Sequence, residues 1–255
     1  MIYLLQMELG RSLLQMRRYP LETVLSFLIL TGMFFGIAYG STAAFGSTVP
    51  ATYAAGITML SFIGWMLCMG LLSGPASELE AEAQSGTVEQ LFTGGHALTR
   101  ILMVRMLASV MVTGAIVAVI ALVAGRVAHL TLAPAAFASL GLAVITAAGG
   151  GFAMAGCALV FKKTRSIALL LTFGLMPVMM ADSAAQWIDR LPAALLLPFV
   201  GSMGLAKGAI LDPAGWSWSA FALASLASCG YFGAGLLFFS RMRRVAMRRG
   251  TIGHY

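Results

Sequence analysis

The chain has 255 residues, 60% of them hydrophobic and only 10% charged, with a mean hydropathy of +0.91. This excludes an ordinary soluble domain, in which about 25% of residues are charged, and makes bilayer crossings of about 20 residues the natural unit of counting. A net charge of +7 without any basic stripe interleaved with aromatics argues against nucleic acid and for basic loops beside anionic lipid.

In residues 2–18, Ile2, Leu5, Leu9, Leu13 and Met16 recur at three- and four-residue spacing, while Gln6, Arg11, Gln15, Arg17 and Arg18 mostly occupy other faces. One apolar stripe with cationic flanks predicts a helix lying in the membrane interface rather than crossing it. Tyr19-Pro20 ends it, because the residue before a proline resists helical geometry. Arg17-Arg18 reads as a positive flank. No small-residue cleavage site follows, so no cleaved leader is expected.

Six apolar stretches come next: Leu21 to Tyr39, Ala51 to Leu72, Ile101 to Ala124, Ala135 to Phe161, Ser166 to Ala181 and Trp216 to Ser240. The first carries only Glu22, near its start. The third carries only Arg105, one turn in, where a long side chain reaches the interface. Gly149-Gly150-Gly151 lies inside the fourth, and Pro177 interrupts the short fifth. Between the fifth and sixth, residues 186–212 are apolar but broken by Pro192, Pro198, Gly201 and Gly204. A re-entrant helical hairpin suits such a sequence, since bent backbone at membrane depth must be covered by protein. Asp189, Arg190, Lys207 and Asp212 fall on this hairpin, where they either guide a substrate's exit or, the reading favoured, pair at the membrane surface.

Lys and Arg set the orientation. Thirteen of the sixteen lie in one set of loops and termini, and Arg126, Arg190 and Lys207 make up the other side. Both termini and the loop between the second and third stretches are therefore expected in the cytoplasm.

That loop, residues 77–95, reads SELEAEAQSGTVEQLFTGG and holds four of the nine carboxylates: Glu78, Glu80, Glu82 and Glu89. Ser77-x-x-Glu80 after Pro75 is a capping-box pattern and predicts a helix start. Gly86 can end that helix, and Thr87-x-x-Gln90 repeats the pattern ahead of Val88, Leu91 and Phe92. Glu78 and Glu82, four apart, repel when unpaired and call for a basic neighbour, whether a partner protein, Arg100, Arg105 or the C-terminal arginines.

Here the chain resembles the permeases of the type-2 ATP-binding-cassette exporter family, which carry E-R-E-x-G-T-L-E-x-L between their second and third spans. Glu82, Gly86, Thr87, Glu89 and Leu91 match and Val88 is conservative, whereas Ala83 and Gln84 replace an arginine and a glutamate. The resemblance implies an all-α fold: an interfacial elbow helix, six spans with cytoplasmic termini, a coupling helix over 77–93 and an extracellular re-entrant hairpin. It implies an ATPase-coupling interface of Glu78, Glu80, Glu82, Gly86, Thr87, Val88, Glu89, Gln90, Leu91 and Phe92. It also implies a separate ABC ATPase subunit that binds ATP and Mg, a second permease copy or paralogue, and residence in the inner membrane of a prokaryote.

This chain itself has no G-x-x-x-x-G-K-[ST] stretch, so no ATP-binding loop and no cofactor are expected on it. The nearest approach, Gly156 to Thr164, has Phe161 where the second glycine must stand. His96, His129 and His254 are dispersed and no G-x-S-x-G turn occurs, so neither metal nor nucleophilic chemistry is suggested. Cys68, Cys157 and Cys229 fall within apolar runs and read as packing residues. Spans almost empty of ionisable groups argue against an ion-coupled carrier. The remaining alternatives are a motor-independent channel or carrier, and a scaffold. Seventeen methionines give a flexible apolar lining suited to hydrophobic cargo, or equally to ordinary packing. The Gly32-x-x-x-Gly36 pair allows a close helix contact within the chain or across a dimer.

Overall fold

The computed structural model describes residues 2–22, 24–25, 28–29, 31–33, 36, 51–84, 98–128, 134–161, 164–180, 192–212 and 216–249. Among the described residues the fold is all-helical. The helices are α1 (Ile2–Arg18), α2 (Ala51–Gln84), α3 (Leu98–Ala128), α4 (Pro134–Phe161), α5 (Arg165–Met180), α6 (Val200–Leu211) and α7 (Trp218–Arg249), with a 3-10 turn at Pro192–Leu196 ahead of α6. The described positions between 20 and 36 are helical as well. Tyr19 is the non-helical residue between α1 and that segment, where the Tyr-Pro step predicts a break.

Four of these helices are long and apolar enough to cross a membrane, over Gly56–Gln84, Leu98–Val119, Pro134–Phe161 and Trp218–Arg248. Helix α5 is apolar but has 16 residues, and α6 has 12. At 1.5 Å per residue α6 is about 18 Å long, too short for a hydrocarbon core of about 30 Å.

Helix α4 is the centre of the bundle, with α2 packed on one side and α7 on the other. The glycine triplet makes this possible. A Cβ on Gly151 would overlap the carbonyl oxygen of Leu71 in α2, and one on Gly150 would run into the Leu72 side chain. A Cβ on Gly149 would strike the backbone of Tyr231 and Phe232, while one on Gly235 would strike the Gly149 carbonyl. Backbone thus meets backbone on both sides of α4, the approach that small residues permit where lipid offers no hydrophobic drive. Phe152 then fills the seam beside them, its ring 6.0 Å from Phe232 and 5.8 Å from Phe239.

Pro75 lies inside α2 and does not end it. A helical proline frees the carbonyl four residues earlier and crowds it with its ring. Here that carbonyl belongs to Leu71, the group that faces Gly151. A Cα hydrogen at Gly151 in place of a side chain gives the freed oxygen a weak C–H···O neighbour and room to tilt. The break expected before Ser77 is therefore absent, and α2 continues to Gln84. Ser77 caps nothing: its hydroxyl donates to the Gly74 carbonyl at 2.9 Å, within the helix.

Cross-helix pairs give the directions. Gly64 lies beside Leu140, and Leu71 beside Gly151, so α2 and α4 run parallel. Trp65 donates to the Thr172 carbonyl at 3.0 Å while Glu80 reaches Thr164, so α5 runs antiparallel to α2. The C-terminal ends of α2 and α4 and the N-terminal ends of α3 and α5 therefore share one end of the bundle. Helix α7 runs parallel to α4 and brings Arg241, Arg243, Arg244 and Arg248 to that same end. At its other end Trp216 and Trp218 pack edge to face at 4.6 Å, with Trp218 exposed, as aromatic anchors do at a membrane interface.

Helix α6 is buried along most of its length, against α4 and α2. Its start is a tight corner: Phe199 has φ 68°, and a Cβ on Gly201 would overlap the Leu195 carbonyl. Phe199 and Val200 are buried at this corner, whereas Leu196 and Leu197 just before it are about half exposed.

Candidate functional site

The acidic segment begins on the last turns of α2. With 34 residues, α2 is about 51 Å long, so it exceeds a hydrocarbon core of about 30 Å by several turns. Residues two apart on a helix point in nearly opposite directions, while those four apart share a face. Glu78 and Glu82 accordingly turn towards α3, and Glu80 turns towards the start of α5.

Arg105 of α3 receives the first pair. Its guanidinium lies 2.6 Å from Glu82, 3.4 Å from Glu78 and 3.2 Å from Glu8 of α1. Arg11 adds a looser contact to Glu8 at 3.6 Å. The Arg105 side chain is only 11% exposed and that of Glu82 18%, so their contact is a charge-assisted bond largely shielded from water, while the one to Glu78, 42% exposed, is partly screened. One guanidinium thereby ties α1, α2 and α3 together. The basic neighbour that the Glu78–Glu82 spacing calls for is supplied within the chain. Three carboxylates against Arg105 and Arg11 still leave the cluster acidic by one charge.

Glu80 makes the second tie. Its Oε1 accepts from the backbone N–H of Thr164 at 2.5 Å and from the Thr164 hydroxyl at 2.7 Å. Thr164 precedes Arg165, the first residue of α5, so a carboxylate sits at the positive end of that helix. Glu80→Ala is expected to lower stability by about 2 kcal/mol, and Glu80→Gln by about half of that, because the amide keeps an acceptor but not the charge. Thermal unfolding of the purified variants in neutral detergent measures both.

Gly86, Thr87, Val88, Glu89, Gln90, Leu91 and Phe92 lie outside the described residues, as do Asp189 and Arg190. Lys207 is not at a surface. It has no exposed area, and its ammonium donates to the Met179 carbonyl at 2.8 Å, near the C-terminal end of α5, where a cation is favoured. Asp212 is exposed, and its backbone N–H closes α6 on the Gly208 carbonyl at 2.8 Å. Of these two residues, Lys207 is thus buried and Asp212 exposed.

Glu8 and Thr164 belong to the site without having been singled out by sequence. Glu8 is the sole carboxylate of an otherwise basic helix, which was a usable signal. Thr164 stands at an N-cap position, a weaker one.

No family model matches the chain, and neither a curated protein nor a solved structure does. The composition and the four long apolar helices fit a multi-pass membrane protein.

Proposed function

We propose that this chain is the permease subunit of an ATP-driven exporter, working with a separate ATPase that carries ATP and Mg. Six spans, an interfacial elbow helix, a re-entrant hairpin before the last span and cytoplasmic termini complete the reading, with a second copy or paralogue across the translocation path. The supporting observation is that the exporter-like stretch begins, at Glu82, on the last turn of α2, a helix tied at its end to α1, α3 and α5. A force applied to residues 86–92 meets a braced rod instead of a hanging loop. Because α2 packs on α3, α4, α5 and α6, tilting it repacks the bundle as a unit. The gathering of arginines at the same end supports a cytoplasmic position for it.

Val88→Pro tests the scheme. It breaks the short helix that the resemblance implies, so transport and the stimulation of ATP hydrolysis are expected to disappear while membrane insertion and abundance persist. Undiminished transport by this variant contradicts the proposal.

A further inference from the structure

Helix α1 packs Glu8 and its neighbours towards α3 but leaves a second apolar strip uncovered. Tyr3, Met7 and Leu14 share one face and are 71%, 56% and 66% exposed. Between Met7 and Leu14, Gly10 leaves a gap with no atom within 4 Å of where a side chain would begin. The result is a groove lined by Met7, Gly10, Arg11, Leu14, Arg18 and Tyr19. Its floor is apolar and one end is cationic. Arg18 lies 5.9 Å from the centre of the Tyr19 ring, which holds the guanidinium at the mouth of the groove.

We infer that this groove binds an anionic phospholipid, with an acyl chain across Gly10 between Met7 and Leu14 and the phosphate between Arg11 and Arg18. The complementarity is of both kinds at once. A free phosphate leaves the apolar floor exposed, and a zwitterionic lipid brings, beside its phosphate, a cationic group that the two nearby guanidiniums repel. The inference rests on α1 lying at a membrane surface and does not depend on the exporter reading. Lipid bound here would press on the helix that Glu8 ties to Arg105, and so would brace the same cluster that holds the end of α2.

The full-length protein purified in neutral detergent is titrated with phosphatidylglycerol and with phosphatidylcholine of the same chains, and retention is read by native mass spectrometry. Each arginine near an anionic head group favours it, and Arg11 shares its charge with Glu8, so a preference of about tenfold for phosphatidylglycerol is expected. Arg11→Gln combined with Arg18→Gln is expected to remove the preference, whereas Arg244→Gln combined with Arg248→Gln keeps it. Should the first pair fail to fold, Gly10→Leu decides, because it fills the groove without touching a charge and is expected to weaken binding of the lipid. Equal binding of the two lipids, or equal loss in both arginine pairs, overturns the inference. So does competition by millimolar inorganic phosphate, which would mark a simple anion site. A change of oligomeric state in the Arg11, Arg18 pair would assign the strip to a second copy of the chain and likewise overturn it. Co-purification of an ATPase, scored in the same preparations, separates failure here from failure of the exporter reading.

Discussion

Gly151→Ala is expected to destabilise the protein by about 3 kcal/mol or more, the upper range for forcing an extra carbon into a packed core. The added methyl overlaps the Leu71 carbonyl, which is backbone and cannot rotate away. Relief requires α2 and α4 to separate, and that disturbs the helix carrying the acidic site. Gly141→Ala, on the same helix but with nothing within 4 Å, is expected to change stability in the opposite direction by up to about 1 kcal/mol, since alanine is the better helix former. Thermal unfolding in detergent of the two variants side by side reads the sign directly. Similar behaviour would mean that α4 is not clamped between backbones.

Arg105→Ala carries the second large effect. Removing the guanidinium leaves Glu8, Glu78 and Glu82 facing one another at the junction of α1, α2 and α3. Breaking a fully buried pair costs about 3 to 5 kcal/mol; because Glu78 is 42% exposed and the others less so, about 2 to 3 kcal/mol is expected here. Arg105→Lys keeps the charge but not the fork that reaches three carboxylates, and should recover only part of the loss. A double-mutant cycle of Arg105→Ala with Glu82→Gln is expected to give a smaller total than the sum of the single effects, because the 2.6 Å contact is lost once, not twice. Strict additivity would show that the contact contributes nothing. If α2 is the lever of an exporter, the same variant should also weaken the link between ATP hydrolysis and transport more than its stability loss alone explains, and Glu80→Ala should do so from the opposite side.

Much of the fold class was legible because the apolar runs are long and nearly free of charge. The run Ala135 to Phe161 matches α4 to within a residue at its start. The limits of α2 and α7 were harder to read, since both continue as polar helix beyond their apolar stretches, and hydropathy marks the apolar part only. Pro75 misled for a related reason. The local rule that a proline disrupts a helix is sound, but the distant Gly151 supplies the space that lets α2 pass it. The site divides in the same way. Glu78, Glu80 and Glu82 stand out as a charge cluster in an uncharged chain, whereas Arg105 meets Glu8 across 97 positions, and no local pattern encodes that meeting. Lys207 looked like a surface cation in a broken segment; only the packing of α6 against its neighbours reveals a buried ammonium closing α5.

The most direct measurement places a photo-crosslinking residue at Ala81 or Gln84, exposed positions on the last turns of α2, and identifies what it captures in the native host. Capture of a P-loop ATPase, lost when the crosslinker is moved to the buried Ala155, is the expected result. Transport by the purified chain alone, with no ATPase captured at either position, would contradict it.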